Sequence, residues 1–123
     1  FIILLSMILT LEVNNITKQY KSLSHQELTK MINQSKITLI DLRSKDEFLK
    51  GHIIDSMNVN LEEITDKKID KNNPIIAYST TEPEAITAAK KFVKEGYNSV
   101  YYLEGGLQSW IEHNMPLVGD NKK

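Results

Sequence analysis

Residues 74–93, PIIAYSTTEPEAITAAKKFV, contain the strand, turn and helix that decide the fold. The run from Pro74 to Tyr78 is apolar and partly β-branched, which is typical of a strand buried on both faces. The helix that follows is predicted to begin with a capping box between Thr81 and Glu84 and to end at Gly96. Its apolar residues recur at helical spacing: Ala85, Ala88, Ala89, Phe92 and Val93. A buried strand that leads directly into a helix is the repeating unit of a parallel α/β sheet.

The same unit recurs on both sides of this stretch. Further strands are predicted at Ile37–Leu42 (ITLIDL) and Val100–Leu103 (VYYL). Two more helices are predicted from capping boxes that begin at Ser24 and Ser44, and a last helix from the Gly105-Gly106 turn. We therefore expect an α/β fold with a central, mostly parallel sheet of about five strands and helices on both faces. Ligands bind such sheets at the carboxyl ends of the strands, so the turn after Tyr78 is the first candidate site.

Composition restricts the classes of function that are open to the chain. It has 123 residues, enough for one domain, and its 41% hydrophobic and 25% charged residues are ordinary for a globular protein. The net charge of -1 provides no basic field for nucleic acid. Cysteine is absent, which excludes disulfides, thiolate metal sites and cysteine nucleophiles within this sequence.

The first residues differ in character from the rest. Phe1–Leu11 (FIILLSMILTL) is too short to span a bilayer, which takes about 20 residues, but it suits the apolar part of a signal peptide or anchor. A buried strand or helix of the domain is the alternative interpretation. We divide the chain into an apolar segment (1–16), a domain (17–118) and a polar tail (119–123). Export to the periplasm or membrane association through residues 1–11 is expected, with a cytoplasmic location as the alternative.

Three segments carry a resemblance to a known family. They are Leu39–Ile53 (LIDLRSKDEFLKGHI), Ser56–Val59 (SMNV) and Tyr101–Trp110 (YYLEGGLQSW). In this order and spacing they resemble the signatures of single-domain, bacterial-type rhodaneses, over about residues 20–118. The resemblance implies an α/β fold of the sulfurtransferase family. It also assigns structural roles to a set of motif residues: Asp41, Arg43, Glu47, Gly51, His52, Glu104, Gly105, Gly106 and Trp110.

The resemblance places the family's chemistry in the turn after the Pro74–Tyr78 strand. There the family has Cys-x-x-Gly-x-Arg, in which the cysteine carries sulfur as a persulfide, and the backbone N–H groups and the arginine hold an anion. In this chain Ser79 stands at the cysteine position, Glu82 at the glycine position and Glu84 at the arginine position. The whole degenerate loop is Ser79, Thr80, Thr81, Glu82, Pro83 and Glu84.

These replacements oppose the family's reaction. A serine hydroxyl cannot form a persulfide, and no general base is evident near Ser79 in the sequence. The Gly-x-Ser-x-Gly pattern of a serine hydrolase is also absent. Glu82 and Glu84 put negative charge at a helix N-terminus that would otherwise attract an anion, and Pro83 has no N–H to donate. The chain's only arginine, Arg43, lies outside the loop.

Most of these residues also have a structural explanation. Serine, threonine, glutamate and proline are all common at helix starts, and we favour this explanation of the loop over a cation site. Asp41 and Arg43 are expected to form an ion pair at a strand end, with Glu47 as a possible third member. His52 is expected to be hydrogen-bonded in the structure and Trp110 to pack its helix on the sheet. No metal ion or cofactor is predicted.

The sequence favours a rhodanese-like domain without sulfurtransferase activity that serves protein binding or regulation. The partner is then a protein, and nucleic acid is not expected. The alternative is a divergent sulfurtransferase or phosphatase-like enzyme that acts on an anionic sulfur or phosphate substrate. That alternative requires an activated Ser79 and a cation from elsewhere in the chain. A purely structural domain with no ligand is the third possibility.

Overall fold

A computed structural model of the chain describes residues 19–66 and 69–119. Its five strands form one parallel sheet in the order β1-β5-β4-β2-β3. The strands are β1 (Tyr20–Leu23), β2 (Thr38–Asp41), β3 (Ser56–Asn58), β4 (Ile75–Tyr78) and β5 (Val100–Leu103). The α-helices are α1 (His25–Gln34), α2 (Lys45–Lys50), α3 (Glu82–Lys94) and α4 (Gly106–Glu112), and a 3-10 helix spans Leu61–Asp66. The predicted α/β class and strand number are confirmed.

Local side-chain contacts explain where the first two helices begin. The Ser24 hydroxyl accepts the Glu27 N–H at 3.1 Å, and the Glu27 carboxylate accepts the Ser24 N–H at 2.9 Å. Ser44 and Glu47 form the same reciprocal pair. Each capping box satisfies two N–H groups that have no partner inside the helix. Both boxes are those that the sequence predicts.

The sheet separates two apolar cores, because successive residues of a strand point to opposite faces. In β4, Ile75 and Ala77 face the core that α3 covers, whereas Ile76 and Tyr78 face the core beneath α1 and α4. All four of these side chains are fully buried. Burial on both faces explains why β4 is a continuous apolar run rather than an alternating one. The prediction of helices on both faces is confirmed.

Three turns meet at the carboxyl edge of the sheet, where β2, β4 and β5 end. The turn after β5 requires glycine at position 106, which has a φ of +67°. A Cβ atom at this position would lie 2.5 Å from the carbonyl oxygen of Thr80. The absence of a side chain therefore allows the start of α4 to pack against the turn that follows β4.

The N-terminal prediction concerns residues that lie outside the described part of the chain. Residues 1–18 and 120–123 are not described, so the expected signal or anchor segment and most of the polar tail stay predictions. Within 19–66 and 69–119, no helix combines the length and the apolar character that a bilayer crossing requires.

Candidate functional site

The site is the turn from β4 into α3, and α4 holds it in place. Ser79 follows the last residue of β4, and its side chain is only 6% exposed. The Ser79 carbonyl accepts the N–H of Leu107 at 2.8 Å, and the Thr80 carbonyl accepts the N–H of Gln108 at 3.1 Å. The first turn of α4 thus donates two of its free N–H groups to the loop, which fixes the loop backbone against a second element.

The hydroxyl of Ser79 donates a hydrogen bond to the Glu84 carboxylate, with an oxygen–oxygen distance of 2.7 Å. The predicted capping box between Thr81 and Glu84 is therefore wrong: Thr81 occupies the N-cap position of α3, but its side chain makes no capping bond. The buried Ser79 hydroxyl needs an acceptor, and the Glu84 carboxylate serves it instead of capping the helix. The sequence indicates no general base near Ser79, and the structure places the Glu84 carboxylate, five residues along the chain, against its hydroxyl.

The second carboxylate of the loop crosses to the turn after β5. Oε2 of Glu82 accepts the backbone N–H of Gly105 at 2.7 Å. Gly105 has a φ of +75°, in the left-handed region that favours glycine. Glu82 stands where the resemblance places glycine. Its carboxylate connects the turn after β4 with the turn after β5 and bonds the Gly105 N–H, which is then not available to a ligand.

Three carboxylates lie near the turn from β4 into α3. Burial raises the pKa of Tyr102 above its ordinary value, and the negative charges of Glu82 and Glu104 raise it further. Glu84 adds a third carboxylate at the start of α3. A thiosulfate or phosphate ester at this turn would meet like charge rather than the positive end of a helix dipole.

The chain's only arginine is bound elsewhere at the carboxyl edge. The Arg43 guanidinium contacts both carboxylate oxygens of Asp41, with the closest nitrogen–oxygen distance 2.8 Å, and it donates to the Gly51 carbonyl at 2.5 Å. Burial alone would lower the pKa of Arg43, but the bonds to Asp41 raise it overall. The predicted Asp41–Arg43 pair is confirmed. Glu47 makes no hydrogen bond to it and caps α2 through Ser44 instead.

The other motif residues have structural partners. Nδ1 of His52 lies 2.7 Å from the Phe48 carbonyl oxygen, and the imidazole stacks on the Phe48 ring. Trp110 is 3% exposed and its indole N–H donates to the Pro116 carbonyl. The N–H of Glu104 donates to the Leu23 carbonyl of β1, while its side chain is exposed. These contacts are internal to the domain, and the structural roles assigned to the motif residues stay predictions.

The chemistry open to this site follows from its atoms. It holds a hydroxyl, two carboxylates and backbone amides that are partly occupied, and none of the 123 residues is a cysteine. No persulfide can form on this sequence, because the loop position that would carry it is Ser79. The site as folded suits a neutral or cationic group better than an anion.

Comparison with known proteins identifies the family. The model of the Rhodanese-like domain matches residues 24–113, which is most of the chain. The chain is a rhodanese-like domain. An uncharacterized protein of Buchnera aphidicola (subspecies Acyrthosiphon pisum) is 36% identical over 107 residues, which cover 83% of this chain and 74% of that protein.

Two further relatives connect this rhodanese-like domain with sulfurtransferases and with the fold. A thiosulfate sulfurtransferase, GlpE of Coxiella burnetii, is 28% identical over 84% of this chain and 97% of its own length. The crystal structure of a rhodanese-related protein from Thermoplasma volcanium superposes with a TM-score of 0.72 at 27% identity, covering 80% of this chain and 98% of that one. The domain therefore shares its fold with sulfurtransferase relatives, although its own loop lacks cysteine.

Proposed function

We propose that this rhodanese-like domain is a binding or regulatory module that does not transfer sulfur. The observation that supports the proposal is the pair of short contacts made by the loop carboxylates. Glu84 accepts the hydroxyl of Ser79, and Glu82 accepts the N–H of Gly105. The chain's own negative groups are therefore placed where a sulfur-donating anion would need positive ones.

An assay of thiocyanate formation from thiosulfate and cyanide tests the lack of activity. The purified domain is expected to show no rate above that of the Ser79→Ala variant, because neither protein has a thiolate. Turnover by the wild-type domain that Ser79→Ala abolishes would refute the proposal. A thermal-shift titration with thiosulfate, at ionic strength matched with chloride, is expected to show no saturable stabilisation.

Restoring the family's residues separates the missing nucleophile from the altered field. The variant with Ser79→Cys, Glu82→Gly and Glu84→Arg is expected to form thiocyanate, because the thiolate then lies beside a cation. The matched control is Ser79→Cys alone, which keeps both carboxylates and should be much slower. Equal rates for the two variants would show that the carboxylates do not oppose the anion.

Exposed apolar side chains beside the loop support the binding half of the proposal. Ile111 on α4 is 51% exposed and lines a groove with Leu107 and Leu117. Leu107 is the residue whose N–H holds Ser79, so this groove adjoins the turn. A photoreactive amino acid at position 111 is expected to give a discrete cross-linked protein in cells, whereas one at the exposed Thr87 on α3 should not. The absence of any product at both positions would favour the purely structural domain.

One observation bears on the enzyme alternative. The Glu84 carboxylate accepts the hydroxyl proton of Ser79, which is the arrangement that an activated serine requires. A carboxylate is a weak base for an alcohol, and the negative charges of Glu82 and Glu84 oppose anionic substrates. Hydrolysis of a generic phosphate ester that Ser79→Ala and Glu84→Gln both abolish would establish this alternative.

A further inference from the structure

Two histidines that are far apart in the sequence meet at the carboxyl edge of the sheet. His25 is the first residue of α1, and His113 directly follows α4. Their ring centroids are 4.0 Å apart and the rings are inclined by 22°, so the imidazoles are stacked. The exposed Glu104 lines the same cleft, which has a volume of about 270 Å³ and is completed by Ser24 and Ser109.

The hydrogen bond of His113 defines which ring nitrogen is free. Its Nδ1 lies 2.8 Å from the carbonyl oxygen of Ser109. A carbonyl oxygen only accepts, so the proton of the neutral ring is on Nδ1 and the lone pair is on Nε2. Histidines that bind metals commonly donate their other ring N–H to a backbone carbonyl in this way. His113 is therefore held in the tautomer of a metal ligand.

We propose that the His25–His113 pair binds a borderline divalent metal ion, Zn²⁺ or Cu²⁺, with Glu104 or water as the further ligand. Imidazole nitrogen is a preferred ligand of both ions, and carboxylate oxygen also binds Zn²⁺. The three residues come from the start of α1, the turn before α4 and the end of α4, and the cleft that they line does not include Ser79. Their proximity is a property of the fold, which a reading of histidine spacings along the sequence does not reveal.

Binding requires a change in the His25 ring. Within 19–66 and 69–119, no three histidine or carboxylate side chains are grouped for a metal ion as they stand. Nearly parallel rings direct their lone pairs side by side rather than toward one point. The described hydrogen bonds include none to the ring nitrogens of His25, so its ring can turn out of the stack without breaking one. The metal contacts would replace the stacking contact.

A metal at this cleft would also act on the candidate site. It would connect the start of α1 with the end of α4, and the first turn of α4 holds the carbonyls of Ser79 and Thr80. Metal binding should therefore reduce the local opening of the loop. Slower amide hydrogen exchange at Leu107 and Gln108 on addition of Zn²⁺ would report this coupling.

Titration of the 123-residue protein with ZnCl₂ tests the site, and binding is measured by calorimetry and by the change in unfolding temperature. One ion is expected to bind per chain, with affinity reduced at least tenfold in His25→Gln and in His113→Gln. Glu104→Gln should weaken binding less, and the control Glu112→Gln, at the last residue of α4, should leave it unchanged.

Two readouts on the wild-type protein do not depend on the folding of a variant. Cu²⁺ should quench the fluorescence of Trp110, the chain's only tryptophan, which lies one helical turn before His113. In NMR spectra, Zn²⁺ should shift the ring signals of His25 and His113 and leave those of His52 in place. The proposal is overturned if the wild type shows no saturable binding, if the His25→Gln/His113→Gln double variant binds equally well, or if the His52 signals move instead.

Discussion

Two turns at the carboxyl edge of the sheet resemble each other in sequence and differ in the hydrogen bonds that their side chains make. In the turn after β2, the polar side chains bond to residues two or three positions away. Asp41 binds Arg43, and Ser44 and Glu47 cap α2. The turn after β4 likewise has a serine before a helix whose first turn contains glutamates. There, however, the Glu84 carboxylate accepts a hydrogen bond from Ser79 and the Glu82 carboxylate accepts one from Gly105 in the neighbouring turn, so neither caps the helix.

The difference shows how the scaffold of the family is kept while the residues of one loop change. The first turn retains the residues of the resemblance, and each of them has a bond that supports the fold. In the second turn the changed residues have also become structural, because Glu82 connects two turns and Glu84 satisfies a buried hydroxyl. The residues that differ from the family's loop are thus hydrogen-bonded within the chain.

The largest expected effect comes from breaking the first turn. Asp41 is fully buried, and Asp41→Ala would leave Arg43 as an unpaired charge beneath the surface. A loss of about 3–5 kcal/mol in the free energy of unfolding is expected by urea denaturation. Asp41→Asn, which keeps an acceptor for the Arg43 N–H, should cost less. In the second turn, Glu82→Ala should cost about 1 kcal/mol, and a loss as large as that of Asp41→Ala would contradict the comparison.

The contact between the second turn and α4 should be the next most sensitive. Gly106→Ala introduces a Cβ against the Thr80 carbonyl at a positive φ, so we expect a loss of about 1–3 kcal/mol. Gly51→Ala is the matched control, because its φ of 167° is extended and its Cβ would lie 3.2 Å from the flexible Leu117 side chain. Equal melting temperatures for the two variants would show that α4 does not press on the loop.

Tyr78, the last residue of β4, connects that strand with the segment that leads into β3 and should make stability depend on alkaline pH. Its hydroxyl accepts the Ile53 N–H at 3.1 Å and lies 3.1 Å from the Ser56 hydroxyl. Burial raises the pKa of Tyr78, and the charge of Asp41 raises it further. The folded pKa exceeds the unfolded value of about 10, so stability is fully present below pH 10 and is lost as pH rises above it.

The slope of that loss is at most about 1.4 kcal/mol per pH unit for one proton. Urea unfolding between pH 8 and pH 11 should show a smaller alkaline loss in Tyr78→Phe than in the wild type. Tyr97 and Tyr102 also have raised pKa values, so part of the dependence should persist in the variant. Parallel curves for the two proteins would assign the whole effect to other groups.

Sequence reasoning succeeded where bonds are local and failed where they cross between turns. The Ser24 and Ser44 capping boxes and the Asp41–Arg43 pair join residues that are two or three positions apart, so their spacing predicts them. The buried run of β4 likewise follows from composition. The Glu82–Gly105 bond and the His25–His113 stack depend on which strands become neighbours, and this is visible only in the fold.

The hydrogen bond of Glu84 shows the same limit of sequence reasoning between residues only five positions apart. Spacing alone permits a box with Thr81, as it does at the other two helices. In the structure Ser79 is buried and its hydroxyl needs an acceptor, and Glu84 provides it. A pattern of residue types does not show this burial.

The smallest expected effect distinguishes the two turns most directly. Ser44 and Thr81 are both N-cap residues, but only Ser44 accepts an N–H of its helix. Ser44→Ala should therefore lower the free energy of unfolding by about 1 kcal/mol, and Thr81→Ala should change it by less than about 0.5 kcal/mol. Urea denaturation of the two variants at neutral pH measures both changes in the free energy of unfolding, with Thr81→Ser as a control that keeps a hydroxyl. A loss of about 1 kcal/mol for Thr81→Ala, recovered in Thr81→Ser, would mean that Thr81 caps α3 in solution and that Glu84 is free to leave Ser79.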